Sequence, residues 1–471
     1  MSHEAPVKDE GTRAEAIAEA ETGPRNPSGI PAKVLVVVPL LWSLFQLWYS
    51  SPLPFAFVLG VLNDTEARSI HFAFAIFLAY TAFAAFKSSP RDHIPIQDWI
   101  LAIVGAFCAA YLFLFYDALA DRPGVPTTLD LVVGVVGLAL LLEATRRALG
   151  PPLMVVAGLF LLYTFAGPWM PDVIAHKGAS LAKGMSHYWL ATEGVFGVAL
   201  GVSTSMVFMF VLFGSLLERA GAGNYFIRVA FALLGHMRGG PAKAAVVSSG
   251  MTGLVSGSSI ANVVTTGTFT IPLMKRVGFP AEKAGAIEVA SSTNGQLTPP
   301  IMGAAAFLMV EYVGISYVEV IKHAFLPAII SYIALVYIVH LEALKADMVG
   351  LPRQVERTLL HSLVTFTATI ASLVVLAGVV YWGIGWIKDL AGGAAIWIVI
   401  ALLLLAYLGL LRYAANHPEL ATIPAIDELP PPGPTIKVGL YFLLPVVLLV
   451  LCLTVERFSP GLSAFWATVA M

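Results

Sequence analysis

The sequence predicts an all-α, polytopic helical membrane protein. Three observations support this fold class: hydrophobic residues make up 58% of the chain, charged residues make up only 12%, and long apolar runs recur from Lys33 to the C-terminus. Soluble domains contain about 25% charged residues, and about 20 apolar residues suffice for one helix to cross a bilayer. The net charge of -2 gives no indication of nucleic-acid binding.

The loops between the apolar runs predict the topology. Residues 1–31, rich in Glu, Ala, Pro and Gly, are typical of a disordered tail rather than a signal peptide. Lys and Arg concentrate in alternate loops, which places those loops and the N-terminus in the cytoplasm. We expect a four-helix domain over residues 32–150 and a second, larger domain over 151–471. By length, the predicted spans are 33–50, 69–87, 98–116, 129–145, 151–168, 194–216, 322–341, 359–382, 394–412 and 438–455.

Several shorter features carry predictions of their own. Glu143, at the inner end of the fourth span, is placed to pair with Arg146 or Arg147. Residues 171–193 have the aromatic and basic mixture of an amphipathic helix lying in the outer interface. We expect a short outer loop at 382–389 and a proline-rich cytoplasmic linker at 424–434. The two cysteines predict buried apolar packing rather than a disulfide or a metal site.

Residues 241–274 predict a re-entrant hairpin. The stretch has no charge after Lys243, is flanked by basic residues at both ends, and is too long for one span but too short for two. Its centre, residues 256–268, is rich in Ser, Gly, Asn and Thr. We expect the helix to break at 257–262. A broken backbone at membrane depth must be buried in protein or line a wet cavity, so this break should do one or the other.

Residues 281–313 predict a second discontinuous element, a span broken at its centre. Gly295, Pro299 and Pro300 interrupt the helix, and the freed carbonyls would lie beside the uncharged oxygens of Asn294, Gln296 and their neighbours. Two such breaks about 35 residues apart indicate a binding site of the kind that secondary transporters hold near the midplane. Small polar residues also serve close helix packing, which is the alternative for each cluster taken alone.

Glu288 is the clearest acidic residue within this core. An acidic residue inside the membrane is costly and therefore usually functional. The alternative is that Glu288 lies near the cytoplasmic mouth and is hydrated.

Two other function classes fit the sequence less well. A proton-translocating, antiporter-like subunit needs a chain of buried ionisable residues, and Glu288 stands nearly alone. A membrane enzyme needs clustered His, Asp or Glu at a membrane face. The group formed by His176, Lys177 and His187 is the candidate, but the sequence places no carboxylate base beside it.

Four stretches resemble the fused membrane permease of tripartite ATP-independent periplasmic (TRAP) transporters, and in particular the branch that works with TAXI-type solute-binding proteins. These stretches are residues 141–153, 212–226, 238–280 and 292–309. The resemblance implies an elevator-type scaffold in a bacterial or archaeal inner membrane. It further implies sodium-coupled uptake of small organic acids, such as carboxylates or amino acids, delivered by an extracytoplasmic binding protein. The first four spans correspond to the family's small subunit.

The resemblance also implies roles for individual residues, with sodium as the coupling ion and no other cofactor. Hydroxyl, amide and carbonyl oxygens suit a hard cation. Pro299, Pro300 and Glu288 are further candidate site residues, but no ligand is assigned to them. The implied sodium ligands are Gly257, Ser258, Ser259, Asn262 and Gly295. The implied substrate contacts are Thr265, Thr266, Asn294, Gln296 and Thr298.

One feature departs from the family pattern. The large subunit has two inverted repeats, each with a hairpin and a broken helix, but no second Gly- and Thr-rich hairpin follows Arg412. We therefore expect only the first repeat here. Either the chain is a piece of a longer fused permease, or the second half is a separate chain.

Overall fold

The computed structural model of the protein describes residues 25–351, 359–417 and 429–471, and every regular element in these ranges is a helix. Seven helices of this described part are long and apolar enough to cross a membrane. The pair Pro432–Val438 and Leu440–Thr454, bent by 53°, would form an eighth span. The predicted fold class is confirmed. The chain divides into two compact units, Met1–Met209 and Phe210–Met471.

The first unit packs its helices around a core rich in aromatic side chains. Tyr80, Tyr111, Trp189 and Phe196 are almost fully buried there. Its helices are α1 (Ile30–Ser50), α2 (Leu53–Phe57), α3 (Asp64–Ala82), α4 (Ile96–Leu114), α5 (Tyr116–Ala120), α6 (Thr128–Leu149), α7 (Pro151–Ala166) and α8 (Leu181–Tyr188).

Two boundaries in this unit differ from the predictions. Helix α3 starts before the predicted residue 69, because Asn63 and Glu66 form a capping box that satisfies the first free amides. The helix predicted within 171–193 is limited to the eight residues of α8, which starts at the N-cap Ser180.

A buried network of charges ties the N-terminal segment to this unit. Most of the predicted tail lies outside the described residues, but Arg25 is 4% exposed and donates to Asp98 Oδ2 at 2.5 Å. Arg147 donates to Asp98 Oδ1 at 2.8 Å. Glu143 accepts from both Arg146 and Arg147, as predicted. The end of the predicted tail is therefore an anchored segment, because Arg25 supplies a counter-charge that the sequence pattern does not reveal.

The second unit contains the predicted hairpin and broken helix. Helix α9 (Val198–Arg219), which has a π-helical turn at Ser203–Val207, leads into it from the first unit. The other helices are α10 (Ala222–Leu234), α11 (Gly240–Ser256), α12 (Ser259–Arg276), α13 (Ala281–Gly295), α14 (Ala304–Val313), α15 (Tyr317–Lys345), α16 (Leu359–Ala391), α17 (Ala395–Ala415), α18 (Pro432–Val438), α19 (Leu444–Thr454) and α20 (Pro460–Val469).

Two loops predicted in this unit differ from the sequence interpretation or lie partly outside the described residues. The outer loop predicted at 382–389 is wrong, because α16 continues through these residues. Residues 418–428, which include the start of the predicted proline-rich linker, lie outside the described residues. The last part of that linker opens α18, where proline occupies the first turn without loss of a hydrogen bond.

Helices α11, α12, α13 and α15 form the core that positions the site. Ala242, Val246, Met274, Ile287 and Val339 are buried in one cluster between them. Small residues on these faces let helix backbones approach closely, which is how helices pack in membranes. The hairpin and the broken helix are therefore held against each other by direct contact.

Candidate functional site

The tip of the hairpin is a tight break of two residues. Between α11 and α12 only Gly257 and Ser258 lie outside the helices. Gly257 has φ of 61°, in the left-handed region that favours glycine, and a Cβ there would lie 2.3 Å from the carbonyl oxygen of Met302. Ser258 Oγ accepts from the amide of Ala261 at 3.3 Å and caps α12. The break occurs where the sequence predicts it.

The break is narrower than predicted. Ser259, Ala261 and Asn262 lie in the first turn of α12 rather than in an unwound tip. The reason is the N-cap at Ser258, which lets the helix resume at once. The backbone oxygens of these three residues are consequently part of a helix.

Asn262 joins the two arms of the hairpin. Its side chain is 1% exposed, and Nδ2 donates to the carbonyl oxygen and to Oγ of Ser249, each at 2.9 Å. Gly253 of α11 and Gly295 of α13 cross in backbone contact beside it, since a Cβ on Gly295 would lie 3.0 Å from Gly253 Cα and 3.5 Å from Asn262 Nδ2. Asn262 and Gly295 are thus brought together by the structure.

The second break starts later than predicted. Helix α13 continues to Gly295, and within it the hydroxyls of Ser291 and Thr293 donate to carbonyls one turn earlier, at 2.7 and 2.8 Å. The chain leaves the helix at Gln296, passes a cis peptide bond between Pro299 and Pro300, and resumes at α14.

The carbonyls freed by this break have partners. Tyr317 Oη lies 2.6 and 2.7 Å from the carbonyl oxygens of Pro300 and Ile301 and can donate its one hydrogen to either, and the carbonyl of Gln296 accepts from the amide of Gly303 at 2.8 Å. Tyr317 therefore fixes the shape of the break, a role the sequence pattern does not indicate.

The two breaks lie side by side. Gln296 Nε2 donates to Ser259 Oγ at 3.0 Å, on the exposed side of the site. Thr298 Oγ1 donates to the carbonyl of Asn294 at 2.9 Å, and lies 3.4 Å from Tyr332 Oη. Of the predicted contacts on the second break, Gln296 thus reaches the hairpin tip, whereas Thr298 lies between the Asn294 carbonyl and Tyr332.

Thr265 and Thr266 point in different directions. The hydroxyl of Thr265 donates to Glu218 at the end of α9, and that of Thr266 donates to Glu288. Successive residues on a helix face different sides, so this separation follows from the helical geometry of α12. Neither hydroxyl joins the surface formed by Gln296 and Ser259.

Glu288 lies in the interior rather than at a hydrated mouth. Its side chain is 0% exposed and accepts from Thr266, from Thr270 Oγ1 at 2.5 Å and from Ser292 Oγ at 3.3 Å. Ser249 and Thr270 are site residues that the sequence pattern had not singled out. Thr270 lies one turn after Thr266 on α12, a spacing that would have indicated it, whereas Ser249 lies on the other arm of the hairpin.

The site offers oxygen atoms as ligands. At the hairpin tip no fixed charge from the described part of the chain lies beside these oxygens. Hydroxyl, amide and carbonyl oxygens predominate, a set that suits hard cations and polar solutes. Within the described ranges, no three side chains of His, Cys, Asp and Glu converge as a transition-metal site. In the first unit, His187 Nδ1 lies 2.9 Å from Glu193 Oε2, so the carboxylate judged absent beside this histidine is present. Both groups are largely exposed and form a surface ion pair.

Paired broken helices inside a bundle of membrane-spanning helices define a secondary-transporter type of membrane protein. Residues 136–469 match the family described as "Tripartite ATP-independent periplasmic transporter, DctM component". The chain belongs to this TRAP permease family and is a multi-pass membrane transporter component, not an enzyme. This family membership favours a TRAP permease over the alternative of a proton-translocating, antiporter-like subunit.

Named relatives agree with this assignment. The C4-dicarboxylate TRAP transporter large permease protein DctM of Rhodobacter capsulatus is 36% identical over 19% of this chain and 21% of its own. The protein of the same name from Vibrio cholerae is 26% identical over 56% of this chain and 54% of its own. The ectoine TRAP transporter large permease protein TeaC of Halomonas elongata is 34% identical over 20% of this chain and 22% of its own length. The chain spans about half or less of the length of these relatives.

Proposed function

We propose that this chain is a permease component of a sodium symporter that takes up small organic acids. In this proposal an extracytoplasmic solute-binding protein of the TAXI type delivers the solute, and the protein lies in a bacterial or archaeal inner membrane with its N-terminus in the cytoplasm. The names of the relatives, which refer to C4-dicarboxylates and ectoine, support the solute class. The alternating basic loops support the orientation.

The observation that carries the proposal is the contact between the two breaks. Gly257 packs against the carbonyl oxygen of Met302, where a Cβ would clash, and the Gln296 side chain donates a hydrogen bond to Ser259 Oγ. A cation held at the tip and a solute held by the second break would therefore be neighbours. Binding one would favour binding the other, because both depend on the same arrangement of the two elements.

We assign the sodium ligands to Gly257, Ser258, Ser259, Asn262 and Gly295. The Nδ2 of Asn262 is committed to Ser249, so we assign its Oδ1, which lies 3.5 Å from Thr266 Oγ1, to the cation. Solute contact is assigned to Asn294, Gln296 and Thr298 of the second break, of which Gln296 contacts the hairpin tip. An anionic solute would be held by polar groups and the N-terminus of α14 rather than by an arginine.

Sodium binding can be tested on the purified chain. A ligand that binds only the folded state stabilises it by about 2.7 kcal/mol at a concentration one hundred times its Kd. We expect sodium chloride, but not choline chloride at equal ionic strength, to raise the melting temperature. The double variant Ser259→Ala/Asn262→Ala should lose this response. Thr293→Ala is the matched control, since it removes an exposed hydroxyl that bonds only the carbonyl of Val289.

An unchanged sodium response in the double variant would refute the ligand assignment. Uptake is tested separately in vesicles that contain the full-length permease, with and without its binding protein. We expect accumulation of labelled C4-dicarboxylate or another small organic acid only when sodium and the binding protein are both present. Equal uptake without either one would refute that part of the proposal.

A further inference from the structure

Glu288 is an acid buried in the second unit without a counter-charge. Among the described residues it forms no ion pair, and all its partners are hydroxyls: Thr266 and Thr270 from α12 and Ser292 from α13. A Cβ on Gly267 would lie only 3.1 Å from Glu288 Cγ, so α12 packs tightly against this side chain. A buried carboxylate without a cation is strongly disfavoured unless it takes up a proton.

The charged and titratable groups on the packed helices have other partners. On α11 the charged residue is Lys243, whose Nζ lies 3.0 Å from His340 Nδ1 of α15. On α13 Lys283 pairs with Glu342 of α15. Tyr332 of α15 lies close by, but its hydroxyl donates to the carbonyl of Ser291 at 3.2 Å.

The other residues of α12 and α13 place no charged group nearer to Glu288. Helix α12 has no ionisable side chain before Lys275, and Glu282 of α13 lies in its exposed first turn. None of these groups neutralises Glu288.

Each hydroxyl around Glu288 has a second acceptor. Thr266 Oγ1 is 2.8 Å from the carbonyl of Asn262, and Thr270 Oγ1 is 3.0 Å from the carbonyl of Thr266. Ser292 Oγ is 3.1 Å from Ser249 Oγ. A hydroxyl has one hydrogen and can donate to only one of its two acceptors at a time. The network therefore has two complete arrangements.

We propose that Glu288 is a proton-binding site, and that these hydroxyls rotate to accommodate its two charge states. In the protonated state the carboxylic O–H donates to Thr270 Oγ1, and the two threonine hydroxyls donate to the carbonyls one turn earlier. On release the O–H bond of the acid breaks and the proton passes to water. The carboxylate left behind then accepts the hydrogens of Thr266, Thr270 and Ser292.

The same network connects Glu288 to the hairpin tip. Ser292 contacts Ser249, and Ser249 accepts from Asn262 at 2.9 Å. Deprotonation of Glu288 also places a negative charge beside Thr266, which lies one helical turn from Asn262 on α12. This connection rests on the proposed sodium site, whereas the proton site itself does not. We expect sodium to bind more tightly as the pH rises.

Infrared spectroscopy of the purified chain tests the proton site directly. At neutral pH a protonated buried carboxylic acid gives a carbonyl band separate from that of carboxylates. We expect Glu288→Gln to abolish this band and Glu311→Gln to leave it, since Glu311 is exposed on α14. Thr270→Val, which retains the side-chain shape, should shift the band because the acid loses one of its hydrogen-bond partners. Absence of the band in the unmodified chain, or its persistence in Glu288→Gln, would overturn the proposal.

The connection to sodium has its own readout. The sodium concentration at half-maximal stabilisation should fall at least about fivefold as the pH is raised, a typical coupling between two sites, and should not change with pH in Glu288→Gln. Sodium binding that responds to pH equally in both proteins would overturn the connection. If sodium stabilises none of the proteins while the infrared band is lost in Glu288→Gln, the proposed function fails and the proton site stands.

Discussion

The crossing of α11 and α13 makes the most specific prediction about packing. At this crossing an added Cβ on Gly253 would lie 2.5 Å from Gly295 Cα, a backbone atom that cannot move aside alone. We therefore expect Gly253→Ala to push the two helices apart. Overpacking of a close contact costs about 1–3 kcal/mol, against a gain of about 1 kcal/mol in helix propensity when alanine replaces glycine.

Gly285→Ala provides a control that isolates the packing cost. Gly285 lies within α13 and a Cβ there meets nothing within 4 Å. Both variants gain the same helix propensity, so the difference between them is the overpacking cost of about 1–3 kcal/mol. For a unit of this size each kcal/mol corresponds to about 2–4 °C in melting temperature.

The assay is thermal unfolding of the two variants in the same detergent, with and without sodium. Gly285→Ala should be as stable as the unmodified chain or slightly more stable, and Gly253→Ala should melt several degrees lower. Because Gly295 lies beside Asn262, the sodium response should weaken in Gly253→Ala alone. Equal melting temperatures of the two variants would refute the close crossing.

Two further substitutions test other parts of the framework. Tyr317→Phe removes the hydroxyl that bonds the carbonyls of Pro300 and Ile301; it should cost about 1–2 kcal/mol in thermal unfolding, whereas Tyr312→Phe, at a 72% exposed position, should cost nothing measurable. Asp98→Asn leaves the buried Arg25 without its carboxylate and Arg147 with Glu143 alone, and should cost about 3–5 kcal/mol. Its control is the exposed Asp92→Asn, and similar stability of these two aspartate variants would show that the network is not buried in solution.

The sequence indicated where the chain would break because the causes are local. Gly257 adopts a backbone conformation that side chains disfavour, and Pro299 and Pro300 lack the amide hydrogens a helix needs. Glu143 could likewise be paired with Arg146 and Arg147 from helical spacing alone. Such features depend on neighbours within one or two turns, so they can be read from the order of residues.

Other features required the folded chain because they join residues far apart in sequence. The bond from Gln296 to Ser259, the burial of Arg25 against Asp98 and the hydroxyls around Glu288 each depend on how helices pack. Apolar periodicity shows that a helix has a buried face, but not which helix covers it. By itself the sequence therefore determined the class of protein and the approximate positions of both breaks. Only the tertiary structure decided that the breaks touch and that Glu288 is enclosed, because long-range contacts are set by packing and not by local backbone preference.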